Sequence, residues 1–190
     1  MTTAAKSGAV SNGSRALVEL AFALREGEPG FAALRERLLA LYEAGLAVET
    51  RPFPGMELLI GELAERGLHW GVVTNKPAWL AEPLLARMPL LPAPAVLVCP
   101  EHVRRTKPDP EPLLLACERI GCPPAEAVYV GDHLRDIDAG RAAGMRTVAA
   151  AYGYLGPGDS AGRWGADHVV DSVEELARLL LVEIPGALST

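Results

Sequence analysis

The chain has 190 residues, 49% of them apolar or aromatic, and a formal net charge of −6. At roughly 150 residues per domain this is one domain plus a small appendage, with enough apolar material for a core and too much for wholesale disorder. The acidic balance excludes a basic field for nucleic acid or an anionic membrane, and the longest nonpolar run, residues 88–99, is broken by Pro89, Pro92 and Pro94 and cannot span a bilayer.

Residues 1–10 are small and polar, lack an apolar secretory stretch, and read as a disordered leader. Residues 14–24 place Leu17, Leu20, Ala21 and Leu24 at helical spacing. After a break at Gly27, Pro29 and Gly30, a second stripe joins Leu34, Leu38, Leu41, Tyr42 and Gly45. Residues 11–50 therefore form a helical unit. The R-P-F-P-G stretch at 51–55 forbids a continuing helix and marks a hinge.

Beyond the hinge, over 56–190, the pattern alternates. Helices are expected over 57–66, 78–87, 111–120, 134–143 and 173–181, with Gly67 and Gly121 as stops. Strands are expected over 68–74, 96–99, 127–130, 146–151 and 169–170, and residues 153–165 form a glycine-rich loop. The fold class is α/β: a doubly wound parallel sheet with helices on both faces. Cys99, Cys117 and Cys122 lack C-x-x-C spacing and read as reduced thiols of a soluble, cytoplasmic protein.

Ligands of open parallel sheets bind beyond the carboxyl ends of the strands. Those ends carry Thr74-Asn75, Lys107 and Asp132. A hydroxyl that donates to phosphate oxygens, an ammonium that neutralises charge and a carboxylate that holds Mg²⁺ together suit a phosphoryl group. In Gly131-Asp132-His133-Leu134-Arg135-Asp136, the glycine permits a tight turn and one helical turn returns Asp136 towards Asp132. Two readings of this acidic pair stand: a metal corner, or N-terminal capping by Asp132 with Asp136 in the first turn. Asp138 falls on another face and is solvated. His133 adjoins the corner and is a candidate substrate contact, and His69 reads as a packed strand residue. Arg104-Arg105 reads as a solvated loop. Tyr152, Tyr154 and Trp164 frame the glycine-rich loop, either contacting a sugar or packing.

The ordered set T-N at 74–75, T-K-P-D-P at 106–110 and V-G-D-x-x-x-D at 130–136 resembles motifs two to four of the haloacid dehalogenase (HAD) superfamily. The likeness runs from about Ser11 to Leu181 and is strongest to its phosphoglycolate-phosphatase branch, whose helical cap precedes a Pro-Gly hinge such as Pro54-Gly55. The resemblance implies Mg²⁺-dependent hydrolysis of a small phosphorylated sugar or organic acid, N-acetylmuramic acid 6-phosphate ahead of 2-phosphoglycolate, with a role in cell-wall recycling. It implies that Thr74 binds phosphoryl oxygens and Asn75 shapes that site. Lys107 then stabilises the charge, Asp132 ligates the metal, and Asp136 orients the lysine or a metal-bound water.

The superfamily's first motif, an apolar strand ending in D-x-D-G-T that supplies a nucleophile and a general acid, has no counterpart here. The only D-x-D, Asp136-Ile137-Asp138, lies in the fourth motif. The expectation is an N-terminally shortened form of low or no activity, lacking the central strand, with 11–50 as a partial cap. Two strands must then pair with one another or leave backbone groups unpaired. The alternative is a non-catalytic HAD-like protein that binds phosphate or a partner.

Overall fold

The computed structural model describes residues 13–183 apart from Ala47, Glu49 and Pro157; the expected leader lies outside the described residues. The first two described elements are helices α1 (Gly13–Phe22) and α2 (Phe31–Ala44), packed on one another and tied by an Arg35 Nε–Ser14 Oγ hydrogen bond of 3.2 Å. Both form where the apolar spacing places helices. The buried apolar side chains are Val18, Phe31 and Leu46, whereas Leu20, Phe22, Leu41 and Tyr42 are exposed. Two short helices cannot cover a full apolar face of each other, and much of their surface meets solvent.

After the hinge the chain alternates as expected: α3 (Met56–Glu65), β1 (Gly71–Val73), α4 (Ala78–Ala86), β2 (Val96–Val98), α5 (Glu111–Ile120), β3 (Val128–Gly131), α6 (Leu134–Ala142), β4 (Arg146–Ala150), β5 (His168–Val170) and α7 (Val173–Arg178). A π turn, Leu179–Glu183, follows α7. Helix α5 stops where Gly121 takes a left-handed φ of 78°, which a Cβ would oppose. Helix α7 starts where Ser172 Oγ accepts the Glu175 N–H at 3.1 Å, with Glu174 and Glu175 in its first turn.

All strand pairs are parallel, but the described strands form two sheets, β1-β2 and β3-β4-β5. The expected single sheet is interrupted between β1 and β3. Strand β1 is also shorter than the expected 68–74, because its register with β2 runs only from Gly71↔Val96 to Val73↔Val98. His69 consequently lies before the strand and is exposed, not packed.

Helices cover both faces of the three-stranded sheet. Val148 packs with Leu59 of α3 and Leu176 of α7, while its neighbour Ala149 packs with Ile137 of α6 and with Trp164. Alternation along β4 sends successive side chains to opposite faces, so a strand buried on both faces reads as a continuous apolar run. Thr147 is the polar exception within it. Fully buried, it is satisfied by Asp167, whose Oδ2 accepts its N–H at 2.7 Å and its hydroxyl at 2.8 Å. No helix among the described residues is long and apolar enough to cross a membrane.

Candidate active site

The carboxyl ends of β1 and β3, the two strands that flank the interruption, bring the expected residues together. Thr74 closes β1, its N–H on the Val98 carbonyl at 2.9 Å and its Oγ1 accepting the Lys76 N–H at 3.0 Å. Asn75 Nδ2 donates to the Lys107 carbonyl at 3.1 Å and fastens the β1 loop to the lysine's segment. The Lys107–Pro108 peptide there is cis.

Lys107 is buried and its ammonium faces three acceptors: the Val73 carbonyl at 2.8 Å, the Tyr129 hydroxyl at 2.7 Å and Asp136 Oδ1 at 2.8 Å. An ammonium has three donors, so each is engaged. The paired carboxylate is itself buried and hydrogen-bonded, the condition under which such an ion pair is tolerated. Tyr129 Oη also donates to the Val73 carbonyl at 3.2 Å. Burial first, then the Asp136 and Asp132 carboxylates, hold the Tyr129 phenol well above its ordinary pKa, and it stays neutral. The sequence reading missed this tyrosine. Its signal was a polar-tipped aromatic inside the apolar V-Y-V strand, a residue type that seeks a partner when buried.

Asp132 follows β3, and its Oδ2 accepts the Tyr154 N–H at 3.1 Å. It does not cap α6. That position belongs to His133, whose Nδ1 accepts the Arg135 N–H at 3.2 Å. Burial, then the Arg135 charge, lower the His133 pKa. Gly131 is needed for close approach and not for a turn, since a Cβ there would overlap Asp136. Gly153 is constrained likewise against Asp132. Asp138 is exposed. Arg105 is largely exposed, and the backbone N–H groups of Arg104 and Arg105 bind Glu111, so this pair is a solvated loop. Trp164 is buried with its indole on Asp159 Oδ1 at 2.8 Å, and Tyr154 is exposed.

A second group comes from the helical pair. Lys76 Nζ donates to Tyr42 Oη of α2 at 2.7 Å and lies 4.4 Å from that ring's centroid. Helix α4 begins at Ala78, whose N–H is held by Glu101.

The donor chemistry admits magnesium. This ion keeps several waters and takes one or two carboxylates together with substrate oxygens, and Asp132 supplies such a carboxylate. No cluster of three His, Cys, Asp or Glu side chains among the described residues could hold an ion by itself, so substrate and water would complete the set.

Parallel βα units that gather a hydroxyl, a buried ammonium and two carboxylates at one rim define an α/β protein that handles phosphoryl groups. The chain belongs to the haloacid dehalogenase-like hydrolase family, whose model matches residues 15–150. It is 47% identical over 173 residues to the N-acetylmuramic acid 6-phosphate phosphatase of Pseudomonas putida, covering 91% of this chain and 78% of that protein. It is 42% identical over 171 residues to the phosphoglycolate phosphatase of Xanthomonas campestris, covering 88% and 75%. Among solved structures it resembles a predicted phosphoglycolate phosphatase from Haemophilus somnus, with a TM-score of 0.81 at 23% identity over 91% of this chain and 80% of that one. This last likeness bears on the fold. Phosphatases of the superfamily generally use Mg²⁺.

Proposed function

We propose that the chain is a Mg²⁺-dependent phosphomonoester hydrolase acting on a small phosphorylated sugar or organic acid, N-acetylmuramic acid 6-phosphate ahead of 2-phosphoglycolate. In this reading Thr74 and Asn75 receive the phosphoryl oxygens and Lys107 neutralises their charge. Asp132 holds the metal, which polarises the phosphoryl group when bound, and Asp136 orients Lys107. The P–O ester bond breaks, a water oxygen joins phosphorus, and the leaving oxygen takes a proton. Residues 11–50 serve as a helical cap on a 51–55 hinge above a core over 56–190. Free thiols at Cys99, Cys117 and Cys122 support a cytoplasmic setting.

The observation that carries this reading is the buried Lys107–Asp136 pair at the strand ends beside Thr74. A buried ion pair is costly to maintain for stability alone, and charged groups held at such a rim are apt for electrostatic catalysis.

One observation favours a second reading, binding without turnover. The chain contains no D-x-D-G-T. Phosphate release from both esters, measured with Mg²⁺ for the parent and for Lys107→Ala, separates the two. Turnover lost in the variant supports the hydrolase. Saturable ester binding without turnover supports the binding protein. Neither binding nor turnover overturns both.

A further inference from the structure

Three aromatic rings meet beside the carboxylate corner. Phe53 of the hinge lies 5.1 Å from Tyr152 in an edge contact at 77°, and 6.2 Å from Tyr154 in a tilted arrangement at 50°. The loop bearing both tyrosines is fixed to Asp132 twice, by the Tyr154 N–H bond of 3.1 Å and by Gly153, which has no room for a side chain against that residue.

The three rings differ in what holds them. Tyr152 packs on the cluster formed by Leu59, Val148 and Leu176, so its ring is accounted for by the core. Phe53 and Tyr154 are absent from every buried cluster and remain 37% and 57% exposed. Two large rings left open to solvent lose the hydrophobic stabilisation that burial would give them. Tyr154 is tied to Asp132 through its backbone N–H, and Phe53 lies on the linker between the helical pair and the rest of the chain. Scattered single apolar residues need no explanation, but paired rings on and against a loop fixed to a site carboxylate do.

We infer that Phe53 and Tyr154 form a stacking wall for the pyranose ring of a hexose 6-phosphate whose phosphate sits at the strand ends by Thr74 and Asp132. The C–H face of a pyranose is apolar and flat enough to lie on an aromatic ring, while its hydroxyls stay hydrated. A two-carbon phosphorylated acid has no such face. The wall therefore discriminates between the two substrate classes by contact with the sugar and not by contact with phosphate. This inference rests on the phosphatase reading and adds to it the residues that choose the substrate.

Calorimetric titration with Mg²⁺ tests it, using N-acetylmuramic acid 6-phosphate, 2-phosphoglycolate and inorganic phosphate against the parent, Phe53→Leu, Tyr154→Ala and Tyr154→Phe. Phe53→Leu keeps apolar volume in the hinge, and inorganic phosphate binding reports whether each variant retains its site. The expected result is a Kd for the sugar ester about fivefold weaker in Phe53→Leu and Tyr154→Ala, with 2-phosphoglycolate unchanged and Tyr154→Phe close to the parent. Equal change for both esters, or no change for either, overturns the inference. Parent binding of 2-phosphoglycolate without the sugar ester also overturns it and leaves the phosphatase reading standing. Failure of the parent to bind any of the three ligands sinks the phosphatase reading and this inference with it.

Discussion

The N-terminal helical pair and the three-stranded half of the α/β unit are held by different physics. In the pair, Val18, Phe31 and Leu46 are buried while Leu20, Phe22, Leu41 and Tyr42 face outward. Its ties to the rest of the chain include two polar ones, Tyr42 to Lys76 and the Leu46 carbonyl to Arg87 Nη1 at 3.0 Å. Around β4, by contrast, Ile137, Ala139, Thr147, Val148 and Ala149 have no exposed surface at all. Exposed polar ties are individually weak because water competes for them, whereas full burial of a branched side chain contributes about 1.5–3 kcal/mol. The difference teaches where motion is inexpensive: the pair can shift while the sheet stays fixed.

The sharpest way to break this comparison is at the buried ion pair. Asp136→Ala leaves the Lys107 ammonium buried without its carboxylate, and urea unfolding should show a loss of about 3–5 kcal/mol. Next, Ile137→Ala should cost about 2–5 kcal/mol, since the site is closed on all sides and cannot collapse. Val18→Ala in the helical pair should cost about 2 kcal/mol or less by the same measurement, and an equal cost would show that the two regions are alike after all. A smaller effect is expected from Tyr42→Phe, which keeps the ring under Lys76 but removes the hydroxyl. Its cost should stay below about 1 kcal/mol, and hydrogen exchange should quicken in α2 while β4 is unaffected.

The smallest concerns pH. The Thr147 N–H and hydroxyl hold the Asp167 carboxyl below its ordinary range. The folded form then binds its proton less readily than the unfolded chain. The stabilisation is complete above the ordinary carboxylate value and is lost as pH falls through the lowered one. Asp167 is exposed, so screening keeps the effect under about 1 kcal/mol. Asp167→Asn should flatten the acid limb of a stability-against-pH curve by that amount, and an unchanged limb would refute the assignment.

Much of the fold was legible in the sequence where local chemistry and burial agree. Helix α5 begins at Glu111 and stops at Gly121 as its punctuation requires, and the apolar runs behind β3 and β4 mark strands covered on both faces. Thr74, Asn75, Lys107 and Asp136 were singled out because strand ends are where side chains leave a sheet, and the structure joins the last three, Asn75 to the Lys107 carbonyl and Lys107 to Asp136. What was not legible depends on partners distant in the chain. The length of β1 is set by β2 and not by the apolar run that contains it. Periodicity marked the two helices but not the depth of their stripes: Leu17, Leu24, Leu34 and Leu38 are half-buried, whereas Leu20, Leu41 and Tyr42 are exposed. His133 holds the capping position that was one of two readings for Asp132, whose carboxylate is met by Tyr154, a residue of a later loop. Tyr129 joins Lys107 only through the placement of β3 beside Val73, which no spacing encodes.

The interruption between the two sheets has a consequence for individual amides. Thr74 bonds back to Val98 and the Ala127 carbonyl accepts from Arg146, which sets the alternation along each strand. Val72 and Thr74 turn their backbone groups to β2, and Tyr129 and Gly131 turn theirs to β4. Gly71, Val73, Val128 and Val130 point theirs the other way, where the Val73 carbonyl is met by side chains instead of a neighbouring strand. In deuterated water these two strands should therefore label in stripes. Residues 71, 73, 128 and 130 should take up deuterium early, and residues 72, 74, 129 and 131 late, a tooth-by-tooth record of the gap between the two described sheets.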